Sequence, residues 1–135
     1  MSTALSLFSL HEVVIATLRV HTASFVSLKI YDGSAKSDAT FPYIVVDGWN
    51  SNGRDGLNYK RQDVTFLVHI FSNYKGNREV YLIAEAVMAC LDRKQLMLDQ
   101  WSNVTTTFDQ SDVMVETNDT RHMWLRFSAV TARRL

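Results

Sequence analysis

The stretch VTFLVHIFSNYKGNREVYLIAEAVMACL, residues 64–91, contains a strand and a helix in direct succession. Its first eight residues are mostly apolar on both faces, which is typical of a strand in the middle of a sheet that is covered on both sides. After a polar turn, Asn77 can cap a helix whose apolar residues recur at helical spacing. That helix is apolar nearly all round. We therefore expect it to be buried on two sides, the second against another helix or another subunit.

The remaining segments predict an α+β domain. Ser9-Leu10-His11-Glu12 has the pattern of a capping box and predicts a first helix at about 10–22. Residues 26–31 and 42–47 have strand composition. After residue 103, period-two alternation predicts two or three antiparallel strands, with turns at 109–112 and 117–120. The expected order is α-β-β-β-α-β-β-β, with two helices on an antiparallel or mixed sheet in one domain, 1–135.

Composition excludes several classes of partner. The 14 basic residues balance 14 acidic ones, whereas nucleic acid and anionic membranes are bound by clustered positive charge. No apolar run approaches the roughly 20 residues that span a bilayer. The single cysteine, Cys90, lies on an apolar helix stripe and is interpreted as a packed thiol in a reducing compartment. We expect neither a specific nucleic-acid partner nor a membrane.

Residues for catalysis or metal binding are scattered along the sequence. The four histidines, His11, His21, His69 and His122, lack zinc-ligand spacing. His69 lies in the buried strand pattern and is interpreted as a hydrogen-bonded core histidine. Three aspartates could hold a metal, but their basic neighbours favour a mixed, solvated surface; they are Asp47, Asp55 and Asp63. No phosphate-binding glycine motif is present. We expect no enzyme, no catalytic residue, no metal and no cofactor.

Several stretches, taken in order, resemble a known pattern. They are IYDG (30–33), FPYIVV (41–46), VHIFS (68–72), GNRE (76–79), ACL (89–91) and RHMWLRF (121–127). Their order and spacing resemble the tail completion proteins of long-tailed bacteriophages, also called tail terminator or tail-to-head joining proteins. Ile70-Phe71 departs from the valine-tryptophan pair that the family often has at this place, so interface details are expected to differ.

The resemblance implies a non-enzymatic virion protein. Family members are expected to form a ring of six subunits at the head-proximal end of the tail tube, where they stop its polymerisation and join the tail to the head. The implied partners are further copies of the chain, the tail tube protein and the head completion or connector protein. The implied location is the virion tail, with assembly in the bacterial cytoplasm. The alternative is a small soluble binding module of a prophage or host, with a ligand or peptide on its sheet.

Residues 48–61 are expected to form a long flexible loop. They hold three of the five glycines together with polar and aromatic residues. In a ring subunit such a loop can order on contact with a partner. The expected assembly residues are Trp49, Arg54, Tyr59 and Arg61. The alternative is an ordinary exposed hairpin loop with Trp49 folded back on the sheet.

Overall fold

The computed structural model describes residues 5–25 and 27–134, except for the side chains of 103 and 104. The described residues form two helices and five strands: α1 (Leu7–His21), β1 (Lys29–Asp32), β2 (Tyr43–Gly53), β3 (Tyr59–Ser72), α2 (Arg78–Leu91), β4 (Ser102–Val115) and β5 (Arg121–Arg134). The strands form one sheet in the order β1-β2-β3-β5-β4. Only β1 and β2 pair in parallel; the other three pairs are antiparallel. The predicted α+β class with a mixed sheet is confirmed.

The core lies between one face of the sheet and the two helices. Along β3, buried residues alternate with half-buried ones, so that Phe66, Val68 and Ile70 point to the helices. Leu18 of α1 and Val87 of α2 are fully buried against this face. The prediction that β3 is covered on both sides is wrong, because its alternate residues face away from the helices and stay partly exposed.

Helix α1 begins three residues before the predicted start. Ser6, not Ser9, occupies the N-cap position, and its side chain forms no cap hydrogen bond. The Ser6 hydroxyl instead donates to Gln62 Oε1 at 3.0 Å and contacts Thr131 Oγ1 at 2.7 Å. All three residues are buried, and Gln62 Oε1 also accepts a hydrogen bond from the backbone N–H of Ser6. This buried polar cluster joins the start of α1 to β3 and β5.

The C-terminal region has fewer strands than predicted. β4 and β5 are two strands of 14 residues each, so the order is α-β-β-β-α-β-β. The predicted turn at 109–112 is part of β4. A register shift between Phe108 and Gln110 accommodates the polar residues within the strand instead of ending it. The predicted turn at 117–120 does join β4 to β5. Val26, where the predicted first strand begins, lies outside the described residues.

The predicted loop at 48–61 is mostly strand. β2 continues to Gly53 and β3 begins at Tyr59, so the connection is only 54–58. The reason is a register shift between Asp47 and Asn50, at which Gly48 adopts a positive φ of 70°. One extra residue in β2 disrupts the alternation that indicates a strand, while the pairing with β3 continues beyond it.

Candidate functional site

The sheet has one face that no described helix covers. We call it the open face; along β3 it carries Leu67, His69 and Phe71, which are only half-buried. On β5 it carries His122 and Trp124, which pair across the strands with Phe71 and His69. The face is therefore a broad surface of apolar and aromatic side chains with imidazoles at its centre.

Aromatic rings form a row across four strands of the open face. Tyr31 meets Tyr43 edge to face at 5.9 Å between centroids. Tyr43 stacks on Phe71 at 4.9 Å, and Phe71 stacks on the His122 ring at 4.3 Å. Burial, with a smaller contribution from Tyr31, raises the pKa of Tyr43, so its hydroxyl stays neutral. The row presents flat, rigid rings of the kind that contribute most to protein interfaces.

Two shallow grooves lie on the open face. The larger, about 470 Å³, runs between the β1–β2 connection at 33–36 and the row at Tyr43 and Phe71. The smaller, about 280 Å³, is lined by Leu67, Trp124 and Arg126 among others. Both include His69 in their lining. The open face can therefore receive side chains from a partner rather than only a flat surface.

Four polar side chains are hydrogen-bonded in series across the open face, and we call them the histidine network. His69 Nε2 lies 2.7 Å from Asp47 Oδ1, and His69 Nδ1 lies 2.8 Å from His122 Nε2. His122 Nδ1 lies 2.9 Å from Glu116 Oε1. The prediction that His69 is hydrogen-bonded holds, but the residue belongs to the open face and not to the core.

Trp49 is not an exposed residue of a loop. Its ring stacks on the buried Phe66 at 4.6 Å between centroids and meets the His11 ring of α1 at 5.6 Å. The shift in β2 turns Trp49 from the open face to the helix face. The structure therefore places Trp49 against the fold's own core, apart from the other predicted assembly residues.

Arg54, Tyr59 and Arg61 lie together at the end of the β2–β3 hairpin. Asp63 Oδ1 accepts from Arg61 Nε at 3.0 Å, and Asp63 Oδ2 accepts from Arg54 Nε at 3.3 Å. Tyr59 packs on Gly56, where an added Cβ would lie 2.1 Å from its ring. The hairpin end is thus locally ordered, and Leu57 at its tip is 99% exposed.

The candidate metal and catalytic residues are engaged in other contacts. Asp55 and Asp63 pair with the basic residues of the hairpin, and Asp47 pairs with His69, as expected for a mixed surface. Among the described residues there is no group of three or more ligands that could hold a metal. Cys90 is buried, which raises the pKa of its thiol to about 11 and confirms a packed thiol. Within the same described part, neither helix is long and apolar enough to cross a membrane.

The histidine network was missed by the sequence analysis. His69 and His122 are 53 residues apart, and they meet only because β3 and β5 pair in a register that sets His69 opposite Trp124. Alternation along each strand does place both residues on the side away from the core. The register itself is not readable from either strand alone.

Comparisons with known proteins agree with the fold. The sequence profile of the family described as "Tail completion protein gp17" matches residues 12–132. No curated protein matches the chain. Among solved structures, a chain of the "Virion of native gene transfer agent (GTA) particle" superposes with a TM-score of 0.81 at 16% identity, over 96% of this chain and 99% of that one. At this identity the superposition shows that the two chains share a fold.

The family match begins within α1 and ends two residues before the end of β5, so it covers most of α1, all of α2 and nearly the whole sheet. It agrees with the resemblance found in the sequence motifs. The chain belongs to the tail completion protein family and is a structural protein of a phage tail, not an enzyme.

Proposed function

We propose that the protein is a ring subunit that caps the head-proximal end of the tail tube, stops its polymerisation and joins the tail to the head. The observation that carries the proposal is the open face, an uncovered sheet surface with an aromatic row and two grooves. The family match supports a role in completing a tail.

A ring subunit needs two different surfaces that fit each other. A head-to-tail contact joins one surface of a subunit to another surface of the next, and the series closes when the rotation allows it. The open face is one such surface. The helix layer on the opposite side of the sheet is the second, since it exposes Phe8 on α1 and Tyr81 and Leu82 on α2. Both sides of the subunit therefore carry apolar side chains that a monomer leaves in water.

Charged side chains on the two surfaces can also pair. The open face carries Asp47 on β2 and Glu116 in the turn after β4, each bonded to an imidazole. On the helix side, Arg78 begins α2 and follows Lys75, and both are exposed, with no ion pair within the described residues. We propose that the occupant of the open face is the α2 side of a second copy, where basic residues adjoin exposed aromatic ones.

The hairpin end is the proposed contact with the tube or the head. Leu57 projects into solvent from a tip that Asp63 holds in place through Arg54 and Arg61. Arg54 and Arg61 can also reach a partner's carboxylates, and Tyr59 adds half-exposed aromatic area. In this proposal, Trp49 supports the hairpin from inside the subunit and does not contact a partner.

The alternative is a small binding module that holds a ligand or peptide on its sheet. The groove of about 470 Å³ beside Tyr43 and Phe71 favours it, because it is large enough for a few side chains or a small molecule. The two proposals differ in what the open face contacts. In the ring it contacts another copy of the chain, and in the binding module it contacts a different molecule.

The experiment replaces one open-face residue and follows tail assembly. Leu67 is half-buried at the centre of the proposed interface, and Leu67→Glu places a negative charge there. Ser37→Glu, on the exposed β1–β2 connection, is the matched control. Each variant complements a phage that lacks this protein, and electron microscopy measures tail length and the fraction of heads with tails. We expect overlong tails and unattached heads with Leu67→Glu, and normal particles with the control.

A melt of each purified variant separates assembly from folding. If Leu67→Glu folds normally and still gives normal infectious particles, the open face is not the ring contact. If the purified protein instead binds a peptide or small molecule at Tyr43 while its variants assemble normally, the binding module is the correct function.

A further inference from the structure

We propose that the histidine network is a proton-binding site. With two neutral imidazoles and two carboxylates, its four side chains would carry two protons, and the proposed site holds a third. The network joins Asp47 on β2, His69 on β3, His122 on β5 and Glu116 in the turn after β4. The site belongs to the single subunit, so it exists whether or not the open face meets a partner.

Counting protons gives the site its charge. The network has three contacts of 2.7, 2.8 and 2.9 Å, and each needs one hydrogen between its two atoms. Two carboxylates bring no proton, and two neutral imidazoles bring one each. Each of these two protons must lie between a ring nitrogen and a carboxylate, because a carboxylate can only accept a hydrogen bond. The contact between His69 and His122 therefore needs a third proton, and the network then carries a net charge of −1 instead of −2.

The central contact exists at one protonation level only. Without the third proton, His69 Nδ1 and His122 Nε2 face each other with lone pairs, which repel. With a fourth proton, both nitrogens carry hydrogens and neither can accept. Loss or gain of one proton therefore breaks the bond between β3 and β5 side chains, and the two rings must separate or turn.

The two imidazoles are more buried than the carboxylates at the ends of the network. The His69 and His122 side chains are only 15% and 14% exposed, while Asp47 and Glu116 are 40% and 43% exposed. The carboxylates stabilise the cationic pair from both ends, and Phe71 lies flat on His122. The other titratable or charged groups near the network are Lys36 on the β1–β2 connection, Tyr43 on β2, Asp112 on β4 and Arg126 on β5. Of the groups around the rings, the carboxylates of Asp47 and Glu116 are the ones hydrogen-bonded to them.

The consequence is a surface whose shape and charge respond to proton binding. The network forms part of the floor of the larger groove, where His69 and His122 lie beside Asp47. When the proton is bound, the side chains of three adjacent strands are held together. When it is lost, the two imidazoles are released and one unit of negative charge is added to the open face.

The experiment detects the central hydrogen bond directly. In protein with ¹⁵N-labelled histidine, a hydrogen shared by two ring nitrogens produces a ¹⁵N–¹⁵N coupling between His69 and His122. We expect the coupling in the middle of a titration from about pH 4 to about pH 9, on both sides of the ordinary imidazole range, and its loss at both ends. His21 is the internal control, because its ring contacts a backbone carbonyl and no imidazole.

A conservative variant tests the proton count. In Asp47→Asn, the side-chain amide can donate to His69 Nε2, so His69 Nδ1–H donates to His122 while both rings stay neutral. We expect this variant to keep the coupling at the alkaline end, where the unaltered protein loses it. Absence of the coupling at every pH would overturn the proposal. So would an Asp47→Asn variant that loses the coupling at the same pH as the unaltered protein.

Discussion

Leu91 shows how much one residue of α2 contributes to the core. Its side chain is fully buried under the sheet. Truncation to alanine leaves a cavity, and we expect Leu91→Ala to lower the free energy of unfolding by about 2–4 kcal/mol. Leu82→Ala, at an exposed position of the same helix, is the control and should change it by less than about 0.5 kcal/mol. Urea unfolding of both variants measures the difference; equal effects would mean that the wrong side of α2 faces the core.

Trp49 stabilises the subunit itself according to the structure. Its ring stacks on Phe66 and meets the His11 ring edge to face, in contact with the core cluster. We expect Trp49→Ala to lower the free energy of unfolding by about 2–4 kcal/mol, because the space cannot be refilled. A thermal melt of the purified monomer checks this. A melting temperature equal to that of the unaltered protein would favour the original expectation of a partner-binding tryptophan.

Cys90 should be unreactive in the folded protein. Burial raises the pKa of its thiol to about 11, so the nucleophilic thiolate is scarce at neutral pH. In the unfolded chain the Cys90 thiol has its ordinary pKa of 9.0, whereas in the folded protein its pKa is about 11. The contribution of Cys90 to stability is therefore present below about pH 9 and is lost as the pH rises through that window. Thiol labelling at pH 7 should be slow until denaturant is added, and rapid labelling of the native protein would contradict the burial.

At the scale of elements, the bulge in β2 determines which way Trp49 points. Gly48 has a φ of 70°, and an added Cβ would lie 2.9 Å from Leu67 Cδ1. We expect Gly48→Ala to lower the free energy of unfolding by about 1–3 kcal/mol, through backbone strain and displacement of Leu67. Gly53→Ala in the same strand is the control, since an added Cβ there meets nothing within 4 Å. Similar melting temperatures for the two variants would argue against the bulge.

The elements differ in how far the sequence predicts them. α2 was predicted nearly to its ends, because an N-cap residue and a continuous apolar stripe agree along its whole length. The β2–β3 hairpin was mistaken for a loop, because one inserted residue at Gly48 breaks the period-two pattern on which strand prediction depends. The run of polar residues at 109–112 indicated a turn because it also interrupts the period-two pattern, although strand pairing continues through it after a register shift.

The candidate site was less predictable than the fold. The open face consists of residues that have the composition of a buried strand, so the sequence indicated cover on both sides. What covers a sheet face depends on how many helices the chain supplies, and the described part of this chain packs both of its helices on the other face. The histidine network depends on strand register, which is set by the assembled sheet.

At the scale of the whole molecule, the subunit is a layered slab with different apolar surfaces on its two sides. Both carry apolar side chains that are at least partly exposed in an isolated monomer, and the proposed head-to-tail contact between copies would bury one of each at every interface. The proposed ring would account for the uncovered sheet face. The proposal also predicts that both sides become protected together in the assembled tail.

Hydroxyl-radical footprinting of the free protein and of purified tails tests this claim most directly. The account predicts that Phe71 and Trp124 on the open face, and Tyr81 and Leu82 on α2, lose reactivity together in the tail. An added reference peptide corrects for differences in labelling efficiency. If Phe71 and Trp124 react equally in free protein and in tails, the open face does not contact another subunit, and the proposed ring is wrong.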